Sequence, residues 1–373
     1  MFAAHLQSWL YAHIAKPIFF RVDPEVTHDL AISLGEQLGR YRLTRASISA
    51  LCACRDPILE QNILGIHFPN PIGLAAGFDK GARLTRIIPA VGFGFMEIGS
   101  VTGEPCAGNP KPRLWRLPRT EGLVVYFGLK SEGCDAIAGR LRAAHPIIPL
   151  GVSVAKANSP AMTDDERGIA DYVRAFRTLH ALTDYVTINI SCPNIYGGEP
   201  FTDPERLGRL LVAIDAIGSS KPFFLKLPAD ISIAELDALI AVANRHRISG
   251  FIASNLTKRR DAPTIRQDEL ACVGSGGISG RPVAPLANKL IAHLYQTVGD
   301  RYVIIGCGGI FSAEDAYEKI RLGASLVQLI TGMIFRGPQL IGEINRGLAR
   351  LLRRDGFRNI NEAIGSAHRG GVA

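Results

Sequence analysis

The hydrophobic residues after Asn70 fall into short continuous runs separated by amphipathic segments. Runs of four to eight apolar residues are typical of strands that are buried on both faces of a parallel sheet. The runs are Pro71–Gly77, Phe93–Gly99, Gly151–Ala155, Tyr185–Ile190, Phe223–Pro228, Gly250–Asn255, Tyr302–Gly306 and Leu326–Thr331. Segments with helical periodicity, such as Ala234–Arg245 and Pro285–Thr297, follow the runs. This alternation predicts an α/β protein built as a (β/α)8 barrel, the TIM barrel, rather than an open sheet.

One segment does not fit the plain strand–helix alternation. Residues Thr102–Glu132 contain four prolines and are too long for an ordinary connection. We therefore expect a loop or hairpin at the mouth of the barrel, where chemistry takes place in this fold. Polar and glycine residues collect at the predicted strand ends that form this mouth. They are Lys80, Ser100, Lys156, Asn189, Lys226, Asn255, Gly308, Gly309 and Thr331. Several lysines at one mouth indicate a site for an anionic ligand.

The N-terminal region has helical rather than strand periodicity. Apolar residues and His13 recur at helical spacing over Leu6–Ile14, with Trp9 and Tyr11 as candidate interfacial anchors. A second helix is expected over Asp23–Tyr41, capped by Asp23 before Pro24, and a linker over Thr44–Pro57. We therefore predict an N-terminal helical extension, residues 1–50, in front of a barrel formed by residues 57–373.

The same N-terminal residues exclude two kinds of membrane segment. No apolar run reaches the roughly 18 to 20 residues that span a bilayer, and no signal-peptide pattern is present. The two helices are thus expected either to lie on a membrane surface or to pack on the barrel.

Composition narrows the class of protein. The chain is 47% hydrophobic and 20% charged, which excludes a disordered polymer, and its 39 glycines and 22 prolines follow no repeat. Seven cysteines without a C-x-x-C pair indicate a reducing compartment and no metal site. The net charge of +8 is dispersed along the chain. Dispersed charge favours a basic enzyme for anionic ligands over a nucleic-acid-binding protein.

Two predicted loops at the mouth indicate a binding site for a phosphate group. Gly308-Gly309 and Thr331-Gly332 follow the seventh and eighth strands, where this fold commonly binds phosphate. Lys226 ends the fifth strand, and a buried ammonium group there requires an anion. Lys226 at this position is consistent with two roles: it stabilises a reduced flavin, or it forms a Schiff base.

The most informative stretch is Asn189-Ile190-Ser191-Cys192-Pro193-Asn194, at the end of the fourth strand. Its two asparagines supply amide donors and acceptors for a planar polar substrate. Cys192 between them is either a general base or an inert buried thiol.

Through this stretch and five others, the chain resembles the dihydroorotate dehydrogenase family. The matching stretches occur in the family's order and are Asn70–Lys80, Glu97–Thr102, Asn109–Leu114, Asn189–Asn194, Gly276–Pro282 and Gly308–Ile310. Residues Phe20–His28 and Gly356–Gly365 are similar to the membrane-associated, quinone-using class. In that class two N-terminal helices lie on the membrane and form the quinone tunnel to the flavin.

The resemblance implies an FMN-dependent oxidation of dihydroorotate, or of a related cyclic compound, with quinone as acceptor. The residues expected at the cofactor are Ala76, Gly77, Lys80, Ser100, Ser153, Asn189, Lys226, Ser254, Gly280, Gly309, Ile330 and Thr331. Lys80, Asn189, Asn194 and Asn255 are expected to bind substrate, with Cys192 and Lys80 catalytic. The protein would be peripheral on the cytoplasmic face of the membrane, or soluble in the cytoplasm if the helices pack on the barrel.

Several positions depart from the family pattern. Val125 and Lys130 stand where the family has asparagines, and Leu256 stands where it has serine or threonine. Ile330 replaces an aromatic residue, Ser153 an asparagine, and Cys192 the serine base of the quinone-using class.

These departures keep three further hypotheses open. The first is a diverged paralogue that acts on a different cyclic dihydropyrimidine-like substrate. The second is an aldolase or lyase that uses Lys226 or Lys80. The third is a non-catalytic protein that binds flavin or membranes.

Overall fold

Eight parallel strands close into a barrel, as the hydrophobic runs predict. The computed structural model describes residues 2–369, and only the backbone of residues 2–5. The strands are β1 (Gln61–Ile63), β2 (Ile66–Phe68), β3 (Ile72–Leu74), β4 (Phe95–Val101), β5 (Leu114–Leu117), β6 (Gly122–Val125), β7 (Leu150–Val154), β8 (Tyr185–Asn189), β9 (Phe223–Leu227), β10 (Gly250–Ala253), β11 (Gly277–Gly280), β12 (Val303–Cys307) and β13 (Leu326–Leu329). The barrel order is β3-β4-β7-β8-β9-β10-β12-β13, with β13 pairing back to β3. Each of the eight predicted runs overlaps one barrel strand, which confirms the predicted fold.

Helices surround the barrel and precede it. They are α1 (Phe2–Leu10), α2 (Lys16–Phe19), α3 (Pro24–Arg40), α4 (Arg42–Cys52), α5 (Ile88–Val91), α6 (Cys134–Arg142), α7 (Asp165–Leu179), α8 (Pro204–Asp215), α9 (Ile233–Ala243), α10 (Gln267–Leu270), α11 (Ala284–Val298), α12 (Ala313–Arg321), α13 (Thr331–Arg336), α14 (Leu340–Arg354) and α15 (Ile360–Ala363). A π-helical turn, Tyr11–Ala15, joins α1 to α2. Of the helices that the structure describes, none is both long and apolar enough to cross a membrane.

Aromatic rings fill the interior of the barrel where neighbouring strands carry glycine. A Cβ atom at Gly73 would lie 2.3 Å from the Phe95 ring, and one at Gly151 would lie 2.1 Å from the Tyr185 ring. These two glycines therefore make room for the rings at the barrel axis. Tyr185 also donates to the buried carboxylate of Glu97 at 3.2 Å, so this layer combines apolar and polar side chains.

The long insert forms the hairpin that its length and position predict. Strands β5 and β6 pair antiparallel, and β11 joins β6 to complete a three-stranded sheet beside the barrel. The glycines and serines of Ser275–Gly280 predict a loop after the sixth barrel strand, whereas four of these residues form β11. Their glycines hide the strand from a search for apolar runs, and pairing with β6 is a long-range event.

The N-terminal module is more helical than the sequence pattern predicts. The Asp23 side chain accepts from the backbone N–H groups of Glu25 and Val26, which confirms the predicted cap of α3. The predicted linker over Thr44–Pro57 is wrong, because α4 occupies Arg42–Cys52. This segment contains no glycine or proline, and its packing against α5 and α14 stabilises the helix.

A buried ion pair fastens this module to the barrel. Glu25 on α3 accepts two hydrogen bonds from Arg113, at 2.8 and 3.1 Å, and both side chains are almost fully buried. Lys130 and Lys111 approach the same carboxylate at 3.4 and 3.5 Å. Burial alone would raise the pKa of Glu25, but the hydrogen bonds from Arg113 and the charges of these three cations lower it to about 2.

Removal of this carboxylate is expected to destabilise the fold. Glu25→Gln leaves Arg113 buried without a counter-ion, and we expect a loss of about 3 to 5 kcal/mol in the free energy of unfolding by urea. Because the pKa of Glu25 is lowered from 4.5 to about 2, this contribution is present above pH 4.5 and is lost as the pH falls towards 2. The matched control is Glu36→Gln on the same helix, whose exposed pairs with Arg83 and Arg40 contribute at most about 1 kcal/mol. Equal losses in the two variants would contradict the role of Glu25.

Candidate active site

A cavity occupies the mouth of the barrel, between the strand ends and the β5-β6-β11 sheet. It encloses about 1300 Å³, including the part that opens to solvent. The predicted site residues that line it are Ala76, Gly77, Lys80, Ser100, Asn189, Cys192, Asn194, Lys226, Ser254, Asn255, Gly280, Gly309, Ile330 and Thr331. Residues far apart in the sequence are therefore brought together in one site.

Ser153 is the predicted cofactor residue that does not line the cavity. It is fully buried on β7, and its hydroxyl lies 2.8 Å from that of Ser100. Ser100 in turn accepts a hydrogen bond from the Asn189 side chain at 2.9 Å. Ser153 thus supports two lining residues from behind.

Lys80 presents an ammonium group without a carboxylate partner. Its Nζ atom lies 3.9 Å from the centre of the Phe127 ring. Among residues 6–369, whose side chains the structure describes, none accepts a hydrogen bond from it. The pKa of Lys80 is lowered to about 8. Burial is the main cause, and the positive charge of Lys130 adds to it, while the negative charge of Glu25 acts in the opposite direction. An anionic ligand beside it would raise this pKa and stabilise the charged form of the lysine.

Lys226 is the second lysine of the cavity, and it is more deeply buried than Lys80. It lies on β9 between Asn189 on β8 and Ile252 on β10 and is 5% exposed. Within the described part of the chain, Lys226 also has no hydrogen-bond or ion-pair partner. Two such ammonium groups in one enclosed space indicate that two negatively charged groups bind there.

Two of the three asparagines are held in place by a shared serine. Asn255 Nδ2 donates to the carbonyl and hydroxyl oxygens of Ser191, at 2.8 and 2.9 Å. The Ser191 hydroxyl donates to Asn189 Oδ1 at 3.0 Å. These bonds fix the planes of both amides before any ligand arrives.

Asn194 is oriented by the mouth hairpin. Its Nδ2 donates to the backbone carbonyl of Val125 at 2.8 Å, and its own carbonyl accepts from Asn109. Its Oδ1 atom has no hydrogen-bond partner among the described residues. Asn194 therefore keeps an acceptor and one N–H for a ligand.

Cys192 lies between these amides on the loop that follows β8. Burial raises the pKa of its thiol to about 11, against the lowering effect of the Asn194 backbone N–H. The thiol is consequently protonated at neutral pH in the ligand-free protein, and thiolate chemistry requires either high pH or a nearby bound cation.

The other end of the cavity is built from glycine backbone. Gly308 and Gly309 have φ values of 119° and 73°, a region that favours glycine. A Cβ atom at Gly309 would lie 2.3 Å from Ala284 Cβ. Thr331, at the start of α13, and Ser279 place their hydroxyl oxygens 2.9 Å apart beside these glycines. Exposed N–H groups and hydroxyls of this kind fit a phosphate group.

Sequence reasoning missed several lining residues. His28, on α3, lies with Nε2 2.8 Å from the Phe78 carbonyl oxygen, and burial followed by the charge of Lys80 lowers its pKa. Phe127 contacts Lys80 as described above, and Cys307 lines the cavity from β12. His28 lies within the Phe20–His28 match, which is the signal that could have found it. Phe127 and Cys307 carried no signal in the pattern.

Known proteins with similar sequences and structures share one description. A family model described as dihydroorotate dehydrogenase matches residues 58–352. A protein of Nocardia farcinica named dihydroorotate dehydrogenase (quinone) is 38% identical over 97% of this chain and 98% of its own length. An Acidithiobacillus ferrooxidans protein of the same name is 40% identical over 95% of this chain and 98% of its own. The crystal structure of ligand-free DHODH from Eimeria tenella has a TM-score of 0.83 and 29% identity, covering 93% of this chain and all of that one.

Proposed function

The chain belongs to the dihydroorotate dehydrogenase family, and on this premise we propose that it oxidises dihydroorotate to orotate with FMN as its flavin and a quinone as electron acceptor. The observation that carries the proposal is the pair of lysines in one cavity, the partly buried Lys80 and the buried Lys226, neither of which has a counter-ion among residues 6–369. A substrate carboxylate and an anionic reduced flavin supply the two charges that these lysines require.

The cavity residues fit FMN at both ends. The glycine backbone at Gly308-Gly309 and the Thr331 hydroxyl would hold the phosphate, and Lys226 would face the pyrimidine edge of the flavin ring. The bound flavin supplies a two-electron acceptor for the hydride that leaves C6 of dihydroorotate. Ala76, Gly77 and Ser254 line the space between these ends, where they leave room for a flat ring.

The chain's own residues bind and orient the substrate and take up its proton. Lys80 holds the carboxylate, and Asn189, Asn194 and Asn255 hold the ring amides in a fixed plane. Cys192, as thiolate, removes the proton at C5. Its high pKa in the ligand-free protein makes formation of this thiolate a costly step.

We assign membrane contact to the N-terminal module, taken as residues 1–50, in front of a catalytic barrel of residues 57–373. Of the seventeen large hydrophobic side chains exposed among residues 6–369, thirteen lie between Leu6 and Leu51. Not every aromatic there faces outwards, because the Tyr11 hydroxyl donates to the Ile334 carbonyl at 2.7 Å. The module thus packs on the barrel through one face and presents an apolar face to its surroundings, as an interfacial helix pair does.

This arrangement also supports a route for quinone. The cavity is lined by His28 from α3 and by Leu114 and Ile334, which pack in one apolar cluster with Phe20 of the module. A hydrophobic acceptor that enters from the membrane would reach the flavin between these side chains. On this proposal the protein is peripheral, at the cytoplasmic face of the membrane.

Two leucines on α3 test the membrane contact. Leu30 and Leu34 are 57% and 55% exposed and lie one turn apart on the same face. We expect Leu30→Asp/Leu34→Asp to weaken binding to phospholipid vesicles at least tenfold, since each buried leucine contributes roughly 1.5 to 3 kcal/mol. Co-sedimentation measures the effect, and Val212→Asp on α8, which is 61% exposed, is the matched control. Unchanged binding of the double variant would contradict membrane contact through this face.

The proposed reaction is tested by the colour of the purified protein. Anaerobic addition of L-dihydroorotate is expected to bleach the flavin absorbance, and a ubiquinone analogue is expected to restore it. A protein that stays yellow contradicts the proposed substrate. A colourless protein that becomes covalently labelled by its substrate on addition of borohydride would instead indicate the lysine-dependent lyase.

A further inference from the structure

Three apolar side chains line the cavity close to the asparagines. Val125 on β6 is paired with Gly277 on β11. A Cβ atom at Gly277 would lie 2.7 Å from Leu256 and 3.2 Å from Pro193. Val125, Pro193 and Leu256 therefore surround this one glycine, and all three line the cavity. We refer to them as the apolar wall.

The backbone fixes the wall in place. Thr257 and Ile278 exchange two backbone hydrogen bonds, at 2.7 and 3.0 Å, which hold Leu256 against β11. The Val125 carbonyl accepts from Asn194, and the Leu256 N–H donates to Asn255 Oδ1 at 2.9 Å. The wall is thus anchored to two of the residues assigned to the substrate.

Two of the three asparagines beside the wall, Asn189 and Asn255, already use much of their hydrogen-bonding capacity within the protein. Both N–H groups of Asn255 are directed at Ser191, and its Oδ1 atom already accepts from Leu256. Asn189 Oδ1 accepts from both the N–H and the hydroxyl of Ser191. The dihydroorotate ring presents two N–H groups and two carbonyl oxygens at its edge, and some of these would lie against apolar carbon, where an unpaired polar group is unfavourable.

Building on the proposed function, we propose that the preferred substrate of this site is a dihydroorotate derivative with an alkyl substituent on its ring, seated against the apolar wall. Lys80 fixes the carboxylate as for dihydroorotate itself. The reaction is the same two-electron oxidation: one ring carbon loses a hydride to the flavin, its neighbour loses a proton, and a carbon–carbon double bond forms. The electrons then pass to quinone, so no further reactant is needed.

The test compares three substrates on the flavin-loaded protein. L-Dihydroorotate, its N3-methyl derivative and its C5-methyl derivative are each mixed anaerobically with the protein, and flavin reduction is followed by stopped flow. We expect kcat/KM to be at least about tenfold higher for one of the methyl derivatives, the lower end of the discrimination that one methylene gives in a hydrophobic pocket. Calorimetry provides a readout independent of turnover: the matching methylorotate should bind at least about tenfold more tightly than orotate.

Variants of the wall locate the preference. Val125→Asn/Leu256→Thr is expected to reverse it, so that dihydroorotate becomes the better substrate. Val125→Thr, which keeps the volume nearly constant, is the smaller change to use if the double variant does not retain flavin. Val212→Asn, on the exposed face of α8, is the matched control and should leave all three rates unchanged.

The outcomes separate this inference from the proposed function. If dihydroorotate reduces the flavin faster than both methyl derivatives, the inference is wrong and the proposed function stands. If none of the three compounds reduces the flavin, the proposed function itself fails. If the double variant keeps the preference for the alkyl group, that preference does not come from the apolar wall, and the inference is overturned.

Discussion

Replacement of Cys192 by alanine is expected to slow anaerobic flavin reduction by dihydroorotate at least about a hundredfold, because general-base catalysis contributes roughly 10²- to 10⁴-fold to a rate. Binding of orotate and flavin content should change little, since the side chain is small and its loop is held through Ser191 and Asn194. Stopped-flow absorbance under anaerobic conditions measures the rate. Cys272→Ala, at an exposed cysteine, is the matched control.

The pH profile of the wild-type rate identifies the thiolate as the base. The pKa of Cys192 is raised to about 11, so only the small deprotonated fraction is active at neutral pH. At saturating substrate the rate should therefore increase about tenfold per pH unit over the neutral and mildly alkaline range and should lose this dependence in Cys192→Ala. A rate that is independent of pH over this range, or an alanine variant as fast as the wild type, would contradict the assignment.

Replacement of Lys80 by methionine is expected to weaken orotate binding at least about 30-fold. Methionine retains the packing on Phe127 but leaves the bound carboxylate without its charge partner, and truncation of one member of a buried charge pair costs at least about 2 kcal/mol. Titration of the flavin absorbance with orotate measures the dissociation constant. Lys111→Met, at a lysine that is 63% exposed, controls for the loss of one positive charge at the same mouth.

In the wild-type protein, orotate affinity should depend on the charge of Lys80 and should therefore change with pH. Burial and the charge of Lys130 lower the pKa of Lys80 to about 8 in the ligand-free protein, so its charge is present below pH 8 and is lost above it. Orotate affinity is therefore expected to be constant below pH 8 and to fall above it, whereas the affinity of Lys80→Met should not change across this range. A Lys80→Met variant that binds orotate as tightly as the wild-type protein would place the substrate carboxylate elsewhere.

The barrel was predictable because its strands are short and mostly apolar, and because residues with distinctive chemistry lie at or just after several strand ends. Tyr185–Asn189 is such a strand, and the stretch Asn189–Asn194 at its end contributes four lining residues. Strand ends of a closed barrel meet at one mouth, so the order of elements alone brought Lys80, Lys226 and Asn255 together.

The features that the sequence does not predict are those that depend on contacts between residues far apart in the chain. Glu25 and Arg113 are separated by 88 positions, and nothing local to either predicts that they pair. The polar residues of helix α4 predict a linker, whereas its packing on α14 gives the segment a buried side and stabilises it as a helix. The pairing of Val125 with Gly277 likewise joins β6 to β11, two strands that are far apart in the sequence, so no local pattern predicts it.

The buried Lys226 has a consequence for how the protein is made in a cell. Until flavin is present, the native chain must enclose this lysine with no hydrogen-bond or ion-pair partner among residues 6–369, which is unfavourable. A ligand that binds only the native state adds to its stability in proportion to the logarithm of its concentration. The yield of intact protein during overproduction should therefore follow the riboflavin supply of the host, because chains that mature while the vitamin is scarce remain longer in conformations that proteases can cleave.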